Sequence, residues 1–122
     1  MVENNQTKNT TILAMDVVGY SAKMNEDERG TTAKLKNARV IIEKLVKQES
    51  GRIFNTAGDS FMVEFNSTYN AVNTAIKIQK ELHQINRKFE LKDKLEFRMG
   101  VNLGDVIIDG TNLLGDGVNV AA

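Results

Sequence analysis

The chain predicts an α+β domain with the ferredoxin-like βαββαβ arrangement. Three observations carry this: short apolar runs bounded by turn residues, two long segments with helical apolar spacing, and the order in which they alternate. Thr11 to Val17 is an apolar run with a β-branched bias and reads as a buried strand. A short helical turn begins near Tyr20, after Gly19. From about Arg29 to Gln48, residues Ala33, Leu35, Ala38, Ile41, Ile42, Leu45 and Val46 recur at the spacing of one helix face, and Gly51 stops the helix. Arg52 to Thr56 and Ser60 to Phe65 flank Ala57-Gly58-Asp59 as a hairpin. Asn66-Ser67-Thr68 offers an N-cap to a second helix, whose stripe Ala71, Ala75, Ile78, Leu82 and Ile85 runs to about Arg87. After a charged connector, Leu95 to Asn102 and Asp105 to Asp109 read as strands around a tight turn at Leu103-Gly104. A helix starts again near Val118, giving β-α-α-β-β-α-β-β overall.

At 122 residues this is one domain, with residues 1–10 read as a polar, flexible tail and 11–122 as the folded part. Sixteen basic residues against sixteen acidic ones argue against a dedicated nucleic-acid binder, which carries a net basic face. The absence of cysteine excludes disulfides, thiolate metal sites and thiol nucleophiles, and the single His83 cannot build a multi-histidine site. His83, on the second long helix, reads as solvent-facing. No apolar run approaches the roughly 20 residues of a membrane helix, and the start lacks the apolar centre of a signal peptide. The expected location is cytoplasmic.

Topology gives two aspartates a shared position. In this arrangement the first and third strands are antiparallel neighbours, so the end of one meets the start of the other. Asp16 ends the first strand and Asp59 precedes the third, so their carboxylates should converge on one sheet edge. Each has an ordinary reading, Asp59 in a hairpin turn and Asp16 as a helix cap. Together they suit a hard cation, and carboxylate-only ligation favours magnesium or manganese over zinc. Directly after Asp16, the backbone amides of Gly19, Tyr20 and Ser21 sit at a helix start, where an anion is favoured. Gly115-Asp116-Gly117-Val118-Asn119 reads as a glycine-rich turn capped by Asp116, with a ligand-facing Asn119 as the alternative.

Three separated segments resemble the class III adenylate/guanylate cyclase catalytic domain of bacterial type. They are Leu13-Ala14-Met15-Asp16-Val17-Val18-Gly19-Tyr20-Ser21, then Thr56-Ala57-Gly58-Asp59-Ser60-Phe61, then Arg98 to Gly104 with Gly115 to Ala121. The resemblance implies that Asp16 and Asp59 bind two Mg²⁺ or Mn²⁺ ions with the Val17 carbonyl. It implies further that Gly19, Tyr20 and Ser21 hold the triphosphate and that Asn119 positions the ribose for catalysis. The implied reaction converts ATP to cyclic AMP and pyrophosphate, at sites shared between two chains of a head-to-tail homodimer.

Two departures follow. The adenine-selecting lysine and its acidic partner fall on Asn55 and Asn112, whose amides suit ATP while leaving GTP open. This base pocket also motivates a second reading, a catalytically silent module that binds nucleotide or dimerises. The family's transition-state arginine would fall just past Ala122, and the resemblance implies a further helix and strands there, so these residues read as the N-terminal portion of a catalytic domain. The 122-residue chain alone is therefore expected to form negligible cyclic nucleotide, because charge on the transferred phosphate lacks its arginine. Substantial product from the purified chain in a coupled pyrophosphate assay would overturn this.

Overall fold

Strand β1, Thr7–Val17, lies at the centre of a five-stranded antiparallel sheet in the order β2-β3-β1-β4-β5. The computed structural model describes residues 6–122. On one side β1 pairs with β3, Ser60–Phe65, from Thr11↔Phe65 to Met15↔Phe61. On the other it pairs with β4, Phe97–Asp109, from Thr7↔Ile107 to Val17↔Phe97. The edges are β2, Arg52–Ala57, beside β3, and β5, Asn112–Leu114, beside β4. Helices α1, Tyr20–Glu26, and α2, Glu28–Gln48, cross from β1 to β2; α3, Thr68–Asn86, leads from β3 toward β4; α4, Asp116–Ala121, follows β5.

The sheet alternation separates two cores. Leu13, Met15 and Val17 of β1 pack with Leu35, Ile42 and Leu45 of α2 and Ala71, Ile78 and Leu82 of α3. Ile12 and Ala14 point the other way and pack with Val106, Leu113, Val118 and Ala121. The α2 stripe faces inward as its spacing requires, although Ala33 is exposed. Ser67 caps α3, its hydroxyl accepting from the Asn70 N–H at 3.2 Å. His83 is exposed on α3. Among the described residues no helix is long and apolar enough to cross a membrane.

Four expectations need correction. Of the tail expected over 1–10, residues 1–5 lie outside the described residues, whereas Thr7–Thr10 belong to β1. Their polar side chains conceal a strand because pairing with β4, not burial, holds most of them. Leu103-Gly104 is not a turn: β4 runs unbroken, since the extended β1 supplies partners as far as Ile107. Gly104 instead lies under α4, where an added Cβ would stand 3.6 Å from the Gly117 Cα. Finally, α4 begins at Asp116 with Gly115 at its N-cap position, and no side chain caps it.

The second core is tight where α4 crosses β4. A Cβ added at Gly100 would lie within bonding contact of the Ala121 carbonyl oxygen, so any side chain there lifts the helix.

At the far end of the same face, Glu64 on β3 is 6% exposed and gathers charge from its two neighbouring strands, β1 and β2. It accepts from the Thr10 hydroxyl at 2.9 Å and pairs with Lys8 at 2.5 Å and Arg52 at 3.0 Å. Burial pushes its carboxyl upward, but hydrogen bonds from Lys8, Arg52 and Thr10 outweigh this and hold it below the usual value. A carboxyl depressed by folding stabilises the fold above its unfolded titration, near pH 4.5, and loses that contribution as pH falls through the lower folded value. Glu64→Gln should therefore cost about 1 kcal/mol at pH 7, its half-exposed partners being screened by water, and progressively less toward pH 3. Urea unfolding midpoints of both proteins across that range check this.

Candidate active site

The candidate site lies where β1 ends against the β2–β3 hairpin. Pairing between β1 and β3 stops at Met15↔Phe61, leaving the Val17 N–H beyond the ladder. The Asp59 carboxylate takes that position, its Oδ2 accepting from the Val17 N–H at 3.0 Å. The connection Gly58-Asp59 is two residues long, and Gly58 carries a positive φ of 59°, as such hairpin turns require. The hairpin tip is thus tied to the backbone next to Asp16, and both aspartates occupy one edge of the sheet.

Asp16 shares the face of Ile12 and Ala14 and is paired in register with Arg98 on β4. The guanidinium binds its carboxylate in a fork, Nε to Oδ1 at 2.9 Å and Nη2 to Oδ2 at 3.1 Å. Asp16 holds the Arg98 guanidinium above the usual arginine value, and the charge of Asp59 adds to this. Both side chains remain open to solvent, at 71% and 39% exposure. Beside them runs a cleft of about 300 Å³, bordered by Ala14, Ser60, Met62, Gly100, Ala121 and Ala122.

The donor set suits a hard divalent cation: two carboxylates at one edge, with backbone oxygen at the strand end. Among the described residues no cluster of three or more histidine, cysteine or acidic side chains exists, so a cation here would keep water or substrate oxygens. That is the habit of magnesium, commonly held by one or two carboxylates plus phosphate oxygens. Arg98 occupies the carboxylate a cation would use and must give it up.

Helix α1 opens directly after the site. Gly19, at its N-cap position, has φ 65°, and no side chain caps the turn, so its first-turn amides have no side-chain acceptor. Tyr20 is half-buried against the helical core, and Ser21 is exposed.

The remaining candidates are spread over the same face. The β2–β3 register slips between Ile53 and Asn55, so that Asn55 opposes Met62 and turns to the open face, where it is exposed. Asn112 starts β5, its Oδ1 accepting from the Leu113 N–H at 2.9 Å, which leaves its NH₂ to offer. Asn119 is exposed on α4, whose Gly117, Val118 and Ala121 point inward. Within one chain, Asn119 does not line the cleft beside Asp16. The structure therefore joins Asp16, Val17 and Asp59, and leaves Asn55, Asn112 and Asn119 apart from them. Arg98 escaped the sequence reading; its signal was a basic residue one place into the strand that pairs with Asp16.

Solved cyclase structures share this fold. The adenylate/guanylate cyclase/hydrolase from Silicibacter pomeroyi superposes with a TM-score of 0.88 and 31% identity, over 97% of this chain and 69% of that one. The adenylyl cyclase CyaB from P. aeruginosa gives 0.81 at 24% identity, over 98% and 71%, a likeness of fold alone. The family model described as the adenylate and guanylate cyclase catalytic domain matches residues 2–122, and the chain belongs to that family. The Rhizobium meliloti protein named "Putative adenylate cyclase 3" is 43% identical over 112 residues, covering 91% of this chain and 19% of that protein. The Myxococcus xanthus serine/threonine-protein kinase pkn2 is 25% identical over 114 residues, 93% of this chain and 14% of its own. The chain thus spans less than a fifth of the length of these relatives.

An ion pair this exposed is screened by water, so Arg98 is a weak competitor for Asp16. Arg98→Ala should tighten Mn²⁺ binding to the nucleotide-free protein by about two- to fivefold, read by the loss of free Mn²⁺ signal in electron paramagnetic resonance titration.

Proposed function

We propose that the natural protein carrying this domain is an adenylate cyclase, converting ATP to cyclic AMP and pyrophosphate. The observation that carries the reading is the convergence of Asp16 and Asp59 at the end of β1, fixed by the Val17–Asp59 hydrogen bond. Family membership and the relative named as an adenylate cyclase support it.

Asp16, Asp59 and the Val17 carbonyl would hold two Mg²⁺ or Mn²⁺ ions. Bound there, the metals supply the charge that activates the ribose 3′-hydroxyl and steadies the phosphate oxygens. The amides of Gly19, Tyr20 and Ser21 receive the triphosphate at the start of α1. Arg98, released from Asp16, stands at the rim as a guanidinium available to the same anionic chain. In the reaction the 3′-oxygen bonds to the α-phosphorus, the bond to the bridging oxygen breaks, and pyrophosphate leaves with that electron pair. Asn119 positions the ribose. Asn119 does not line its own chain's cleft, and in a head-to-tail homodimer with two shared sites it serves the aspartates of a second copy. The base lies between Asn55 and Asn112: the Asn112 NH₂ donates to adenine N1, and the Asn55 carbonyl accepts from the exocyclic amine.

Neutral amides at both base positions support two other readings, a guanylate cyclase and a silent nucleotide-binding module. Product analysis separates these, since cyclic GMP as the main product, or tight ATP binding without pyrophosphate release, would replace the adenylate assignment.

The complete natural polypeptide should form cyclic AMP only with Mg²⁺ or Mn²⁺ present. Asp16→Ala and Asp59→Ala should each lower turnover by about 100-fold or more. Near-wild-type turnover in either variant would remove the two-metal assignment.

A further inference from the structure

Arg52 joins parts of the sheet that the strand order keeps furthest apart. It lies on β2, at one edge, while Thr111 precedes β5, at the other. Its Nη1 nevertheless donates to the Thr111 carbonyl at 2.6 Å across the open face. The other side of the guanidinium is committed to Glu64, with Nε at 3.3 Å and Nη2 at 3.0 Å from Oε1. Glu64 is itself buried and fixed by Thr10 and Lys8. The Phe54 ring lies 5.9 Å from the guanidinium carbon, in the residue where the β2 register slips. One planar cation is therefore held in place by β3 and uses its free edge to hold the β4–β5 turn.

Two residues flank this bridge. Asn55 is on the same short strand as Arg52, turned to the open face by the bulge, and Asn112 follows Thr111 directly. We propose that Arg52 is a positioning residue for the nucleobase: by anchoring the Thr111 carbonyl it sets the separation of Asn55 and Asn112. This rests on the nucleotide reading of the site and adds to it the element that fixes base selectivity. An amide pair discriminates through short, directional hydrogen bonds, so a turn free to move would blur the choice between adenine and guanine. Arginine suits the task because its five donors form a rigid fork. A lysine ammonium could satisfy Glu64 but would not hold both partners in fixed geometry.

The test uses the complete natural polypeptide as wild type, Arg52→Ala and Arg52→Lys, with calorimetric binding of ATP, GTP and inorganic tripolyphosphate in Mn²⁺. Tripolyphosphate has the anionic chain without the base. Both variants should bind ATP about five- to tenfold more weakly and lose a similar factor of base preference, with tripolyphosphate affinity unchanged within about twofold. A merely structural role would weaken ATP and tripolyphosphate together, and that parallel loss overturns the proposal. Unchanged ATP affinity in both variants overturns it equally. If Arg52→Ala does not fold, Arg52→Lys, which keeps a charge beside Glu64, decides alone. Wild-type protein binding ATP no more tightly than tripolyphosphate would overturn the base subsite itself and this inference with it. A selective loss of ATP in the variants could not be mistaken for that result.

Discussion

The register of β1 against β4 is the constraint on which the cleft depends. It places Asp16 opposite Arg98 and Ala14 opposite Gly100, and so brings the end of α4 down beside the carboxylate. A slip of one residue would turn Asp16 toward the helices and bury a charge among Leu35, Ile42 and Phe61. Eleven paired positions, from Thr7 to Val17, oppose such a slip. The tie between Asp59 and the Val17 N–H then closes the other flank, so neighbours on both sides of β1 define the site.

The two charged groups on the open face differ in kind. Arg98 and Asp16 meet in solvent, where an ion pair contributes little and exchanges readily. Glu64 is buried and collects three partners, so its carboxylate ties neighbouring strands together at a fixed point of the sheet. The first pair suits a place where a ligand must enter. The second suits a place where the sheet must keep its shape. Arg52 belongs to the second group and reaches to the turn that precedes Asn112.

Most of the architecture was legible because apolar spacing reports burial directly. The stripes of α2 and α3, apart from the exposed Ala33 and Ile85, and the apolar residues of the run from Thr11 to Val17 face the cores they predict. Legibility failed where pairing, not burial, holds the chain. Thr7 to Asn9 are exposed and polar, yet they extend β1 and carry β4 through Leu103-Gly104. Gly104 resembled turn chemistry, but it lies inside β4, in contact with α4. The position of Asp59 against the end of β1 could be read because strand order alone implies it. Arg98 could not, because its partner is set by register, which periodicity does not reveal. The facing of Asn55 depended on a bulge that leaves no mark in the residue pattern.

The Arg98–Asp16 fork has a consequence for the life of the protein before any ligand arrives. A carboxylate meant for a metal usually leaves an apoprotein with unbalanced repulsion, and many such proteins need the ion to fold. Here the chain carries its own counter-charge, and Asp59 is satisfied by backbone. The end of β1 therefore folds with no uncompensated carboxylate, and the domain can reach its native sheet without an ion to balance that charge.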